Sequence, residues 1–436
     1  MKELMPKLSK KLLLIPVVLI LVLLILLVVR SLSGRRDQGG QEGKELVWWG
    51  STMDESLAVF LIEQYSKDHP DIKITYIIKP EDDYRERLTN AFAKGNGPDI
   101  FRFHNTWVPM FKKDLDPMPG GVMTAEDFTK TFYQVASNDL SSGSGMFGIP
   151  LEFDNLALFV NEDLFTLNGV AVPEIWDDFR SIVPRFVVRD NRNRIQQSAV
   201  ALGETENVDH WQEFVATLML QNGVRLSNPV GTNAGDVFTY FNTFQSKERV
   251  WDTTLPRSTE YFAQGRLAMY FGPTWRAMQI KNLNPDLKFK VVPVPQLPTD
   301  VLVERPTATY SVYWVEGVWK QSQSKRAAWD FLKFISSKET LDKLYSKALS
   351  EGHFVSPPSR VDMGDDYINN PYFGVAIQQA RYSQTWYLAD ATNDGPTGIN
   401  TQLNTLFKEA LKRGSIGNLP KEIAKVLSQY GLNPQK

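Results

Sequence analysis

The stretch ELVWWGSTMDESLAVFLIEQYSKDHPDIKITYII, residues 45–78, decides the fold class of this chain. Its first six residues, 45–50, form a short apolar run that ends in glycine, which is typical of a buried strand. The middle part carries apolar residues at helical spacing, namely Leu57, Phe60, Leu61 and Tyr65. Residues 69–78 begin with a proline turn and continue as an apolar run. The stretch therefore predicts a strand, a helix and a second strand.

The same alternation continues beyond residue 78. DDYRERLTNAFAKG, residues 82–95, predicts an amphipathic helix that ends at Gly95. PDIFRF, residues 98–103, predicts a third short strand. Strands that alternate with helices usually form parallel sheets covered by helices. We therefore expect an α/β fold with a mainly parallel sheet.

Later segments repeat this pattern. Residues 148–165 predict a strand followed by the start of a helix, and residues 259–275 predict a helix, a glycine turn and a strand. Residues 289–298 predict a strand whose prolines suit a sheet edge or a crossing between domains. Further helices are predicted over 173–186, over 210–223 and, as a pair, over 324–345. The 436 residues suffice for two or three domains.

The composition excludes several classes of protein. A formal net charge of -2 lacks the basic excess of a nucleic-acid-binding protein. The absence of cysteine excludes disulfides, thiolate metal sites and cysteine nucleophiles. Four scattered histidines show no metal-ligand spacing. We therefore expect no metal and no cofactor.

The N-terminal region predicts a membrane anchor. Residues 12–29, LLLIPVVLILVLLILLVV, contain no charge, and a membrane-spanning helix needs about 17–25 such residues. A cleaved signal peptide is the alternative, but its apolar part is usually ~7–15 residues long and precedes a small-residue cleavage site. We interpret 12–29 as a single-pass anchor, 1–11 as its basic flank and 30–44 as a flexible polar linker.

Five stretches of the body, taken in order, resemble the extracellular solute-binding proteins of ABC importers, specifically the maltose-binding-like family 1. They are LVWWG (46–50), GNGPDIF (95–101), GIPLEFDNLALFVNEDLF (148–165), FAQGRLAMYFGPTW (262–275) and SKRAAWDFLKFISSKE (324–339). The resemblance covers roughly residues 45–415. No lipid-anchoring cysteine is present, and residues 380–405 depart from the family's pattern.

The resemblance implies two α/β lobes joined by a hinge, with the ligand in the cleft between them, as in periplasmic binding proteins. The implied lobe one covers residues 45–152 and 296–350. The implied lobe two covers residues 155–292 and 359–430. The prolines of 289–298 and of Ser356–Pro358 fall where crossings between the lobes are expected.

Aromatic and polar residues near predicted strand ends are the candidates for ligand binding, because ligands of open α/β sheets bind beyond the carboxyl ends of strands. Lobe one is expected to contribute Trp49, Asn105, Trp107, Tyr310 and Trp314. The segment that resembles the family's crossing strand contributes Glu152, Asp154 and Asn155, of which Asp154 is the first choice. Lobe two is expected to contribute Glu206, Gly272, Trp275, Trp386 and Asp394, of which Trp275 is the strongest aromatic candidate.

These residue types suit a carbohydrate. Carboxylates and amides form hydrogen bonds with several hydroxyls, and indole rings offer flat apolar faces to the C–H face of a sugar ring. An oligosaccharide is therefore the expected ligand. Polyols, peptides and glycerol phosphate remain alternatives, and the last would require arginines such as Arg102, Arg266 or Arg276 in the cleft.

Enzymatic catalysis is not expected. Glu152 and Asp154 are a pair of carboxylates, as in glycoside hydrolases, but residues two apart on a strand face the same side, roughly 6.5 Å apart. They would not flank a glycosidic bond. No nucleophile elbow, P-loop or dinucleotide fingerprint is present in the sequence.

The resemblance also implies the partners. A monomeric, membrane-tethered protein with an extracellular body would capture the carbohydrate by hinge closure and deliver it to the permease subunits of an ABC importer. A role as a ligand sensor in the membrane is the alternative.

Overall fold

The computed structural model describes residues 45–432, apart from residue 144, residues 299–305, residues 386–391 and residue 415. The anchor expected over 12–29, its basic flank and its linker all lie outside these residues, as does Trp386. Within the described part of the chain, no helix is long and apolar enough to cross a membrane.

One five-stranded sheet combines the N-terminal part of the body with a strand that returns much later. Its strands are β1 (Glu45–Gly50), β2 (Lys73–Ile78), β3 (Ile100–His104), β6 (Ile149–Pro150) and β13 (Trp314–Val318). A separate small hairpin is formed by β4 (Ser141–Ser142) and β5 (Gly145–Met146). The order in the large sheet is β2–β1–β3–β13–β6.

A second five-stranded sheet is built from the middle of the chain. Its strands are β7 (Leu156–Asn161), β8 (Val188–Arg189), β9 (Ile195–Val200), β10 (Leu267–Pro273) and β11 (Phe289–Val292). The order is β11–β7–β10–β9–β8. β11 therefore lies at an edge, as the prolines of the predicted segment 289–298 suggested; they follow the strand directly. β7 and β10 are buried along their whole length.

Helices cover both sheets. The N-terminal helices are α1 (Glu55–Ser66), α2 (Tyr84–Ala93), α3 (Val108–Phe111), α4 (Ala125–Thr131) and α5 (Gln134–Leu140). The middle helices are α6 (Glu162–Asn168), α7 (Trp176–Ile182), α8 (Trp211–Gln221), α9 (Thr232–Ser246), α10 (Ser258–Ala263) and α11 (Arg276–Leu283). The C-terminal helices are α12 (Lys325–Ile335), α13 (Lys338–Ser350), α14 (Gly364–Tyr367), α15 (Gly374–Gln379), α16 (Ile399–Arg413) and α17 (Leu419–Gln429).

The helix ends follow the local signals of the sequence. The Asp54 side chain accepts a hydrogen bond from the Ser56 amide at 2.8 Å and so caps α1. Asn161 caps α6 in the same way through the Leu164 amide. Gly169 ends α6 with a φ of 58°, a left-handed conformation that glycine adopts without steric cost.

The expectation of a mainly parallel sheet was wrong in part, because both sheets are mixed. β1 is parallel to β2 and β3, but β13 runs antiparallel to both β3 and β6. In the second sheet β10 is parallel to β9 and antiparallel to β7. The local strand–helix–strand pattern specifies only the parallel pairs. β13 pairs after the chain has returned from the second sheet, which allows it the opposite direction.

Three segments pass between the two sheets and are hydrogen-bonded to one another. β12 (Thr309–Tyr310) pairs in parallel with β14 (Ser383–Gln384). The Val312 amide donates to the Asp154 carbonyl at 3.0 Å, and the Ser311 amide donates to the Gln384 carbonyl at 2.8 Å. Residues 151–155, 309–313 and 383–385 together form the connection between the lobes, which we call the crossing region.

Each sheet has its own hydrophobic core. The first core includes Trp48, Phe103 and Trp329, and the second includes Phe159, Phe214 and Tyr270. The C-terminal part of the chain contributes to both cores. Residues of the segment 363–380 pack mainly in the first core, and residues of the segment 399–427 pack in the second. The boundary predicted at residue 359 had placed both segments in lobe two. The body is therefore a two-lobed α/β fold.

Candidate functional site

A cavity of about 490 Å³ lies between the lobes, a size within the ~300–1,000 Å³ of ordinary ligand pockets. Residues from both cores and from the crossing region line it. Five of the residues expected from the sequence are among them: Trp107, Glu152, Asp154, Trp275 and Trp314.

Indole rings from both lobes line the cavity. Trp107 follows β3 through a 3-10 turn, and Trp314 begins β13 opposite His104 in the strand register. The two rings meet edge to face, with centroids 5.5 Å apart and an interplanar angle of 81°. Trp107 is fully buried, so Trp314 offers the accessible ring in the first lobe. Trp275, just beyond β10, is half-buried and offers its ring from the second lobe.

Asp154 organises the turn that carries Trp275. Its carboxylate accepts hydrogen bonds from the Trp275 amide at 3.0 Å and from both the amide and the hydroxyl of Thr274, at 3.1 and 2.9 Å. It also accepts from the Asn155 amide at 2.7 Å. Asp154 is 2 % exposed. A residue of the crossing region thus determines where an aromatic side chain of the second lobe lies.

Glu152 belongs to a buried ion-pair cluster rather than standing alone. Glu152 pairs with Arg102. Arg102 Nη1 also lies 3.4 Å from Glu316 Oε1. The Trp48 indole N–H donates to Glu316 at 2.8 Å. Arg102 and Glu316 are each 1 % exposed. The alternation of Arg102 with Phe101 and Phe103 does not expose it, because helices cover both faces of the sheet and all of β3 is buried.

The remaining candidates from lobe one and the crossing region lie outside the cavity lining. Asn105 is buried and donates to Asp139 at 2.9 Å and to Thr385 at 3.1 Å. Asn155 is buried against α15, where it accepts from Gln379 at 2.8 Å. Trp49 is half-buried beneath Lys79, and Tyr310 is fully buried in the strand pair of the crossing region. The side-chain amides of Asn105 and Asn155 therefore join separate segments of the chain.

The candidates from lobe two divide similarly. Glu206 is exposed and pairs with Lys408. Gly272 packs under the Tyr270 ring, where a Cβ would approach that ring to 2.7 Å. Asp394 Oδ2 lies 3.3 Å from Arg85 Nη1. The Asp394 carboxylate also accepts hydrogen bonds from the backbone amides of Asn400 and Thr401 at the start of α16. Trp386 lies outside the described residues.

Sequence reasoning missed several cavity residues. His210 and Glu213 line it from the second lobe, Glu81 lines it from the first, and Tyr313 lines it from the crossing region. Arg276, which the sequence offered only for a glycerol phosphate, lines it as well. The signal at His210 was weak, because a histidine before a helix is usually structural. Glu213 had the appearance of an ordinary acid in the first turn of a helix. Only their convergence on one cavity indicates a site.

Two buried carboxyl groups predict that stability falls as pH rises. Burial raises the pKa of Asp154 to about 7, against hydrogen bonds from Trp275, Thr274 and Asn155 that lower it. Burial likewise raises the pKa of Asp139 to about 6, against hydrogen bonds from Tyr313, Asn105 and Thr385. A raised native pKa means that the folded state binds more protons than the unfolded state. The stability that each of these carboxyl groups contributes is complete below about pH 4. It is lost as pH rises through about 6 for Asp139 and through about 7 for Asp154.

We therefore expect the free energy of unfolding to decrease between about pH 5 and about pH 7, by up to about 1.4 kcal/mol per pH unit for each titrating group. Urea unfolding across that range measures the slope. Asp154→Asn should flatten the upper part of the profile. Asp209 is the internal comparison. Burial raises its pKa, but hydrogen bonds from Thr259 and the charge of Arg276 outweigh burial and lower the pKa to about 2. Its contribution to stability is therefore present above about pH 4 and is lost only as pH falls toward about 2. Stability that increased through this window would contradict the assignment.

Comparison with known proteins agrees with this architecture. The family described as "Bacterial extracellular solute-binding protein" matches residues 61–371. A maltotriose-binding protein of Pyrococcus abyssi is 23 % identical over 359 residues, which cover 78 % of this chain and 72 % of the relative.

Solved structures share the fold. A solute-binding protein of an ABC transporter from Thermotoga lettingae, bound with α-D-tagatose, has a TM-score of 0.70 at 18 % identity and covers 89 % of this chain and 100 % of that chain. The sugar-binding protein MalE of Xanthomonas citri has a TM-score of 0.70 at 17 % identity and covers 90 % of this chain and 100 % of that chain. With a family match across most of a two-lobed body, the resemblance of the sequence is confirmed, and the chain belongs to the bacterial extracellular solute-binding proteins.

Proposed function

We propose that this protein captures an oligosaccharide in the cavity between its lobes by closing them about the crossing region. The observation that carries the proposal is the juxtaposition of Trp314 and Trp275, from opposite lobes, in one cavity that also contains carboxylates. Contacts from both lobes to one ligand are complete only when the lobes are together. Ligand binding therefore shifts the population toward the closed state.

The lining supports a saccharide over the alternatives. Accessible indole rings suit the C–H faces of sugar rings, and carboxylate oxygens accept hydrogen bonds from hydroxyls. A maltotriose-binding protein is among the relatives. A glycerol phosphate would need several free cations, but of the arginines considered only Arg276 lines the cavity in the described part of the chain.

The two carboxylates of the crossing region also favour binding over hydrolysis. Asp154 accepts four hydrogen bonds from the protein, and Glu152 pairs with Arg102. Both side chains therefore have partners that hold them in place. A general acid or a nucleophile needs a carboxyl group directed at the scissile bond.

Family membership and the apolar residues 12–29 support the wider role. We propose that the protein is tethered to the cell membrane with its body outside, and that the closed form delivers the saccharide to an importer's membrane subunits. A tether keeps the local concentration of the binding protein high near the importer. Proteoliposomes that contain the importer subunits would test delivery, with uptake expected to depend on this protein.

Thermal unfolding against a ligand panel tests the binding proposal. The panel contains mono- and oligosaccharides, glycerol phosphates and short peptides. A ligand that binds only the folded state raises the melting temperature as its concentration exceeds the dissociation constant. We expect a shift with oligosaccharides. A shift with glycerol phosphates or peptides alone would overturn the carbohydrate proposal.

Trp275→Ala should weaken saccharide binding by about tenfold to a hundredfold, because truncation of an aromatic anchor at a binding surface typically costs ~2 kcal/mol or more. Isothermal titration with the saccharide identified by the panel measures the loss. Trp49→Ala is the matched control, because Trp49 is also half-buried but does not line the cavity. Equal affinity of Trp275→Ala and the unaltered protein would remove Trp275 from the site.

A further inference from the structure

Three side chains of the second lobe form a hydrogen-bonded chain in the cavity wall. The Arg276 Nε–H donates to His210 Nε2 at 2.8 Å. His210 Nδ1 lies 3.3 Å from Glu213 Oε1. A guanidinium can only donate, so His210 Nε2 is the acceptor and the ring proton is on Nδ1. Nδ1 therefore donates to Glu213 and holds one of its oxygens.

The second oxygen of Glu213 lacks a hydrogen-bond donor. The Glu213 side chain is 3 % exposed and lines the cavity. Among the described residues, Glu213 Oε2 has no hydrogen-bond partner, although the atom is buried. A buried carboxylate oxygen without a donor is costly, and a donor group on a bound ligand would remove that cost.

The ionisable side chains of the cavity lining favour one kind of ligand. Six carboxylate residues are among the lining residues: Asp54, Glu81, Asp82, Glu152, Asp154 and Glu213. Arg276 is the one arginine or lysine of the described lining, and its side chain donates to His210 and Gln279. An anionic group in this cavity would therefore meet more acidic side chains than basic ones.

We propose that Glu213, oriented by His210, is a specificity-determining acceptor that admits a saccharide through a hydroxyl or ammonium donor and rejects sugars that carry a carboxylate. This inference rests on the proposed saccharide function and names the class of sugar that the cavity takes. His210 is a positioning residue, since it acts on the ligand through Glu213.

Glu213→Gln provides a test in which the sign of the effect depends on the ligand. Glutamine keeps the acceptor that faces His210 and replaces the free oxygen by an NH₂ donor. A hydroxyl adapts, because it can both donate and accept. An ammonium group cannot accept, whereas a carboxylate accepts well. The same substitution should therefore affect three classes of sugar differently.

The probes are maltotriose, the glucosamine trisaccharide and the galacturonate trisaccharide, titrated calorimetrically into the full chain. We expect the unaltered protein to bind the galacturonate probe at least about tenfold more weakly than the better of the other two. In Glu213→Gln we expect the affinity for the glucosamine probe to fall by about tenfold or more relative to maltotriose, and the affinity for the galacturonate probe to rise.

Glu206→Gln is the matched control. It removes the same charge from the same lobe, at an exposed site that pairs with Lys408 and does not line the cavity. It should leave the ranking of the probes unchanged. If Glu213→Gln also leaves the ranking unchanged while the saccharides still bind, the Glu213 assignment is wrong and the saccharide function stands. If the unaltered protein binds none of the three probes and no saccharide of the panel, the function itself is wrong.

His210→Asn tests the positioning role separately. His210 has a φ of 61°, and asparagine tolerates this left-handed conformation better than most residues. The variant should reduce the discrimination between the glucosamine and galacturonate probes, with little change in melting temperature. A loss of stability with intact discrimination would assign His210 a structural role only.

Discussion

Arg102→Met is expected to lower the free energy of unfolding by about 3–5 kcal/mol, the loss typical when one member of a buried ion pair is removed. Glu316 would remain buried, with the Trp48 indole N–H as its remaining donor. Burial already raises the pKa of Glu316, and Arg102 lowers it. The variant therefore leaves a carboxyl group that must become protonated or stay charged without a cation. Chemical denaturation at neutral pH measures the loss.

Two further variants make this prediction specific. Arg180→Met removes a half-exposed arginine that pairs with Glu248 at 3.2 Å, and should cost less than about 1 kcal/mol. The double variant Arg102→Met with Glu316→Gln should lose less stability than Arg102→Met alone, because it removes the uncompensated charge. A double variant less stable than the single one would show that the charge of Glu316 is not the cause.

Asp154→Ala is expected to lower the free energy of unfolding by about 3 kcal/mol or more and to weaken saccharide binding by at least about tenfold. The stability loss follows because the amides of Asn155, Thr274 and Trp275 all lose their carboxylate acceptor. The binding loss follows because the turn that positions Trp275 loses its anchor to the crossing region. Urea unfolding and calorimetric titration measure the two effects.

Asp190→Ala is the control for Asp154→Ala. Asp190 also accepts from two backbone amides, those of Arg192 and Arg194, both at 2.9 Å, but in an exposed turn outside the cavity. Water can replace that acceptor, so the loss should be below about 1 kcal/mol and binding should not change. Should Asp154→Ala bind the saccharide normally, the turn at Trp275 would not depend on Asp154.

Local sequence patterns predicted most of the fold. The apolar spacing of residues 55–66 and of the paired helices α12 and α13 is visible without any long-range information. Trp48 and Trp49 alternate between buried and half-buried positions, as neighbouring residues of a strand must. Strand direction was less accessible, because β13 pairs with β3 across more than two hundred residues of intervening chain.

The lining of the cavity was predicted less well than the fold. Composition at strand ends selected Trp107, Glu152, Asp154, Trp275 and Trp314, which the structure places in the lining of one cavity. The same reasoning also selected Asn105, whose amide is engaged by Asp139 and Thr385, and Asp394, which stabilises the start of α16. A polar residue at a strand end has the same local signature whether it contacts a ligand or holds a neighbouring segment.

The sequence by itself determined the α/β class, the start of α1, both ends of α6, the edge position of β11 and the aromatic and acidic character of the cleft. Only the tertiary structure decided that Arg102 is buried with Glu316, that Asp154 anchors Trp275 and that Glu213 faces the cavity. The reason is that burial and hydrogen-bond partners are properties of distant contacts. The Trp48–Glu316 bond spans 268 residues and the Asp154–Trp275 bond spans 121, and no local pattern encodes either.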